Sequence, residues 1–83
     1  MGEVIVVFRI MPESPEDFDK VKAGLEKLEP ERLEEEPIAF GLKAIKFTKI
    51  VPDAEGEIDR LEEEIKRIEG VKDLETVLVS RRL

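Results

Sequence analysis

The chain has 83 residues, enough for one domain with one core and too few for two domains with a deep cleft between them. Charged side chains make up 42% of it and hydrophobic ones 41%, far more charge than the roughly 25% of an ordinary soluble domain but enough apolar content to fold. The absence of Cys and His excludes disulfides, thiolate zinc sites and the commonest metal ligand and general base, and the net charge of −7 opposes general binding to phosphate backbones.

Val4 to Met11 reads VIVVFRIM, β-branched and almost continuously apolar, as a central strand should be, and Pro12 ends it. Ser14-Pro15-Glu16-Asp17 predicts a helix start, with Ser14 as N-cap, Pro15 in the first helical position and acids where the helix dipole favours them. Phe18, Val21, Leu25 and Leu28 then share one helical face, and Pro30 is expected to stop the helix. Glu31 to Glu36 is short and charged, as suits an edge strand.

A Pro37-Ile38-Ala39-Phe40-Gly41 loop interrupts the chain before a longer strand, Leu42 to Val51. Ile45 and Phe47 share a face of that strand, but Lys49 breaks the series, and a bulge is one explanation. Pro52-Asp53 predicts a second helix with Asp53 as N-cap. Its apolar face is Ile58, Leu61, Ile65 and Ile68, and Gly70 is expected at C′. Glu62 with Lys66 and Glu63 with Arg67 have the spacing of supporting ion pairs. Val71 to Ser80 is the last strand. The order strand-helix-strand, strand-helix-strand predicts one α+β domain over residues 1–83. It is a ferredoxin-like βαββαβ sandwich, an antiparallel four-stranded sheet with both helices on one face.

Chemistry on a bound substrate finds little support. Glu34-Glu35-Glu36 and Glu62-Glu63-Glu64 offer carboxylates for acid–base work or hard cations, but the second run points away from its helix's apolar face and reads as solvated surface. The five glycines are scattered and build no phosphate-cradling loop, and Ser14 and Ser80 have no His to activate them. An RNA reader of this fold would stack bases on strand aromatics, for which four Phe in an acidic chain are a poor set. No cofactor or metal is expected. No apolar run is long enough to span a bilayer and no signal pattern opens the chain, so a cytoplasmic protein is expected. The sequence also lacks Asn and Gln and is rich in Glu and Lys, a pattern that fits a hot environment and predicts melting above the mesophile range of about 45–65 °C.

Two features ask for more than a structural account. Phe40 is either a loop aromatic folded back on the core or an anchor for a partner's pocket. Arg82 is either a solubilising tail or, held by a strand tied into the sheet, a fixed basic tip with Arg81 and Leu83 that a negative pocket can steer.

With the opening VIVVFRIMPESP, the EEPIAFGL loop, Asp53-Ala54-Glu55-Gly56, Ile68-Glu69-Gly70-Val71 and the basic end, nearly the whole chain resembles the archaeal translation elongation factor 1 beta family. The resemblance implies the same fold and a guanine nucleotide exchange factor acting, without covalent chemistry, on elongation factor 1 alpha. Relatives in eukaryotes carry additional amino-terminal regions, and this chain resembles their exchange domain alone. It further implies that Phe40, within Ile38 to Gly41, contacts the GTPase. The basic residue beside the carboxy terminus, here Arg82, would enter the magnesium site next to the nucleotide. Eukaryotic relatives place a Lys there. Arg is a wider planar fork, and Arg81 is a second cation able to share the role. A protein monomeric on its own, without direct nucleic-acid or membrane binding, is expected. The alternative is a small ligand-sensing or oligomerising ferredoxin-like module, which would form a stable dimer. An acylphosphatase would need an Asn the chain lacks.

Overall fold

A computed structural model describes residues 2–82, with Arg82 described through its backbone alone. The apolar opening segment forms β1 (Glu3–Pro12), which lies inside the sheet as its composition requires. The chain continues through α1 (Phe18–Glu26), β2 (Arg32–Pro37), β3 (Lys43–Pro52), α2 (Glu57–Lys66) and β4 (Val71–Arg82). The four strands pair antiparallel in the order β2-β3-β1-β4, so the charged β2 is an edge, as expected, and β4 is the other. This is the βαββαβ arrangement of an α+β ferredoxin-like fold.

Both helices cover one face. Phe18, Val21 and Leu25 of α1 and Leu61 and Ile65 of α2 join Val4, Val6, Phe8 and Ile10 of β1 and Ile45, Phe47 and Val51 of β3 in a single core. Phe8 and Phe47, paired in register, stack with ring centroids 6.4 Å apart. Gly24 lets α1 pack closely on the turn that follows α2: a Cβ there would lie 2.7 Å from the Ile68 Cγ2 methyl. On the opposite face Arg9 acts as a strap. Its guanidinium meets Glu36 of β2 through Nε and Glu75 of β4 through Nη1, each at 2.5 Å, and so ties the two edges across the middle strands.

Several local expectations are corrected. Ser14 does not cap a backbone N–H with its side chain: its hydroxyl donates to Asp17 Oδ2 at 3.0 Å, and residues 15–17 make a 3-10 turn before α1 starts at Phe18. The helix is over by Lys27, ahead of Pro30, and Glu29 takes a left-handed φ of 54°. Asp53 does not cap α2, which is entered through Gly56 at φ 83° and starts at Glu57. Gly70 is not its C′ residue: the C-cap is Arg67, and Gly70, at φ 98°, makes the turn into β4. The Glu62–Lys66 and Glu63–Arg67 pairs are not formed; on α2 it is Arg60 that meets Glu57.

No bulge occurs at Lys49. The β1–β3 ladder runs unbroken through Val6 and Lys49, which places this lysine on the helix-covered side, where its Nζ donates to the Glu29 carbonyl at 3.0 Å. The stem lies along the protein and the ammonium reaches a polar partner at the margin. Register shifts lie in the β1–β4 pairing instead: Val7 pairs with Leu78 and Phe8 with Thr76, leaving Val77 over, and Met11 pairs with Asp73 and Pro12 with Val71, leaving Lys72 over.

Candidate functional site

The two features singled out in the sequence lie at opposite ends of the sheet. The loop between β2 and β3, Ile38 to Leu42, sits beyond the end where β1 finishes and β4 begins. The C-terminal end of β4 lies beside the start of β1, with Arg81 opposite Val4 and Arg82 opposite Glu3. Ten residues of β1 separate them, about 30 Å at the usual strand rise, in a molecule 42 Å long.

At the loop end, two backbone hydrogen bonds hold a closed turn: Ile38 N–H donates to the Leu42 carbonyl at 2.8 Å and Leu42 N–H to the Ala39 carbonyl at 3.2 Å. Inside it Phe40 has φ 60° and ψ 36°, a left-handed conformation that costs a non-glycine residue about 1–2 kcal/mol. Gly41 follows at φ 74°. The turn projects the Phe40 ring outward, 97% exposed, with Ile38 and Leu42 half-exposed on either side. The reading in which Phe40 folds back on the core is overturned. Sequence alone held no signal for this, because nothing in the residue types says which side chain a tight turn will present.

Beside the turn lies a surface hollow of about 190 Å³. Met11, Pro12, Pro15, Phe18 and Leu42 form its walls, and Lys43 and Lys72 stand at it. Lys43 Nζ lies 4.6 Å from the centroid of the Phe18 ring and 3.3 Å from Glu35 Oε1. Lys72 is exposed and makes no ion pair among the described residues. The sequence did not single out this hollow, since its lining comes from three stretches far apart in the chain, residues 11–18, 41–43 and 72.

At the other end, Arg81 Nε meets Asp53 Oδ2 at 3.1 Å, so this cation is held by the loop that follows β3. A shallow depression there has Val4, Ile58 and Val79 for its walls. The backbone of Arg82 is paired to Glu3, so the strand is tied into the sheet to that residue. The Arg82 side chain and Leu83 lie outside the described residues.

The carboxylates are used as ion-pair partners. Lys43 and then Lys22 hydrogen-bond Glu35 and hold its carboxyl below the usual range, and Arg9 does the same to Glu36. Among the described residues no group of acidic side chains is placed to hold a metal ion, and no helix is long and apolar enough to cross a membrane.

The family described as the EF-1 guanine nucleotide exchange domain matches residues 5–81. A protein of Methanoregula boonei named elongation factor 1-beta is 45% identical over 83 residues, covering 96% of this chain and 98% of that protein. One of the same name from Methanothermobacter thermautotrophicus is 40% identical over 87 residues, 98% of each chain. Another from Thermoplasma acidophilum is 45% identical over 86 residues, covering 96% of this chain and 98% of that protein.

Proposed function

The chain belongs to the family of EF-1 guanine nucleotide exchange domains, whose role is nucleotide exchange in translation elongation, and from that membership we propose that it binds elongation factor 1-alpha and speeds the release of GDP from it. The reading is carried by the exchange-domain match over residues 5–81. The held, outward Phe40 supports the assignment of a partner contact to the loop end.

The mechanism needs no covalent step. A GTPase of this kind grips GDP through its phosphate loop and a magnesium ion. A cation from the β4 end, Arg82 with Arg81 beside it, competes with the magnesium and loosens the phosphates, with Leu83 assigned to the same partner contact. Phe40, flanked by Ile38 and followed by Gly41, anchors the other end. By linkage, a factor that binds the empty GTPase more tightly than the loaded one weakens nucleotide binding by the same ratio. A thousandfold weakening requires about 4 kcal/mol of differential binding. One buried aromatic anchor and one desolvated charge pair are of the right size to provide it. In this reading residues 1–83 act as a single exchange domain, monomeric when free, in the cytoplasm, with no direct nucleic-acid contact.

The test is release of labelled GDP from elongation factor 1-alpha with and without the protein. Acceleration at substoichiometric amounts of the chain is expected. An unchanged release rate at saturating protein would sink the reading.

A further inference from the structure

We propose that the hollow beside the Phe40 turn receives an apolar side chain of the GTPase, flanked on that partner by carboxylates, so that this end of the interface interlocks in both directions. The proposal rests on the exchange-factor reading and adds to it a second contact, one that enters this chain instead of leaving it.

Three observations carry it. The first is size and lining: a hollow of about 190 Å³ walled by Met11, Pro12, Pro15, Phe18 and Leu42 suits one aromatic or long aliphatic side chain, since an apolar cavity of about 150 Å³ holds a benzene ring. Phe40 does not fill it, being 97% exposed. The second is continuity. Leu42 belongs both to the closed turn that presents Phe40 and to the wall of the hollow, so a partner surface that meets Phe40 also covers the hollow's mouth. The third is charge. On a molecule of net charge −7, Lys43 and Lys72 both stand at this hollow. Lys43 is engaged by Glu35, but Lys72 makes no ion pair among the described residues. Glu13 also lines it and limits the local positive charge. An apolar knob with carboxylates beside it is the chemistry that fits, because the knob loses water on entry and the carboxylates give Lys72 the partner it lacks.

The test compares affinity for elongation factor 1-alpha, by calorimetry, of the wild type, Phe40→Ala, Leu42→Trp and Lys72→Glu. Leu42→Trp places bulk at the mouth of the hollow on a half-exposed residue and should keep the melting temperature. Lys72→Glu reverses the free charge, and Lys66→Glu on α2 serves as the control for net charge. Each hollow variant should weaken binding about tenfold or more, about 1.4 kcal/mol, and Lys66→Glu should leave it within about twofold. The Lys72 effect should shrink as salt rises.

Wild-type affinity in both folded hollow variants, with Phe40→Ala weakened, would overturn the inference and leave the exchange-factor reading standing. If the wild type itself fails to bind, both fall. A dimer of the free chain that Leu42→Trp dissolves would also overturn it, because the occupant would then be a second copy. Should Leu42→Trp lose its fold, Lys72→Glu alone decides.

Discussion

Asp53 holds Arg81: the carboxylate Oδ2 sits 3.1 Å from the guanidinium Nε, joining the loop after β3 to the last turnless stretch of β4. The contact gives the two terminal arginines different standing. In the proposed exchange reaction Arg81 must release Asp53 before it can act on the partner, whereas Arg82 lies one position further along the strand. Arg82→Ala is expected to slow stimulated GDP release about tenfold or more, and Arg81→Ala less, with melting unchanged for both. Normal exchange by a folded double variant would remove the charge mechanism. Asp53→Ala, which frees Arg81, should partly rescue Arg82→Ala, and labelled-GDP release reads all four proteins.

Phe40 pays for its position with backbone strain and receives nothing from the fold in return, being 97% exposed at φ 60°. Phe40→Ala should therefore leave stability within about 0.5 kcal/mol while weakening the complex with elongation factor 1-alpha by about 2 kcal/mol, the size of an interface hot spot. Phe40→Gly should be at least as stable as Phe40→Ala, because glycine adopts this conformation without penalty. Chemical denaturation paired with calorimetry checks both. A large stability loss in Phe40→Ala would show that the ring is structural.

Gly24→Ala should destabilise the protein although alanine is the better helix former by about 1 kcal/mol. The new methyl would lie 2.7 Å from the β-branched Ile68 side chain in the turn after α2, too close for either to stay where it is. Overpacking of this kind typically costs about 1–3 kcal/mol. Ile68→Ala in the same protein should relieve the clash, so a double-mutant cycle by thermal denaturation should show coupling.

Acid should weaken the ion pairs of β2 on both sides of the sheet, Glu36 on the open face and Glu35 on the helix-covered one. Glu36 is held below the usual carboxyl range chiefly by its hydrogen bond from Arg9, and Glu35 chiefly by that from Lys43. A depressed folded pKa means stability that is fully present above the unfolded value, about 4.3 for Glu, and is lost as pH falls through the lower folded value. Melting temperature should thus drop on acidification below about pH 4.3, and Glu36→Gln should flatten the drop while lowering stability near neutrality. An identical pH profile in Glu36→Gln would show that the Arg9 strap contributes nothing there.

The fold was legible because its signals are repeated and local. The three-four-three spacing of Phe18, Val21, Leu25 and Leu28, and again of Ile58, Leu61, Ile65 and Ile68, survives any error at the ends, and VIVVFRIM marks the central strand by composition. The boundaries were less legible because Ser14 and Asp53 had competing partners the sequence does not display: Asp17 for one, Arg81 for the other. Lys49 misled for the same reason. A charge on the covered face suggests a broken ladder until the Glu29 carbonyl is seen beside it. At the candidate site, residue identity named Phe40 and the arginines. The left-handed turn at Phe40, the hollow beside it and the distance to the β4 tip are tertiary facts and left no mark in one dimension.

That distance has a consequence for affinity. β1 runs unbroken between the two ends and pairs on both sides, so it is a spacer of about 30 Å with almost no slack. In the proposed complex, once one end has docked, the other is presented at a high effective concentration and loses little further ordering entropy. Two contacts, each weak alone, then add as avidity. Under that proposal the same stiffness would make the chain selective: a surface whose two receptors are set a few ångströms nearer or farther apart would gain the benefit of one end only.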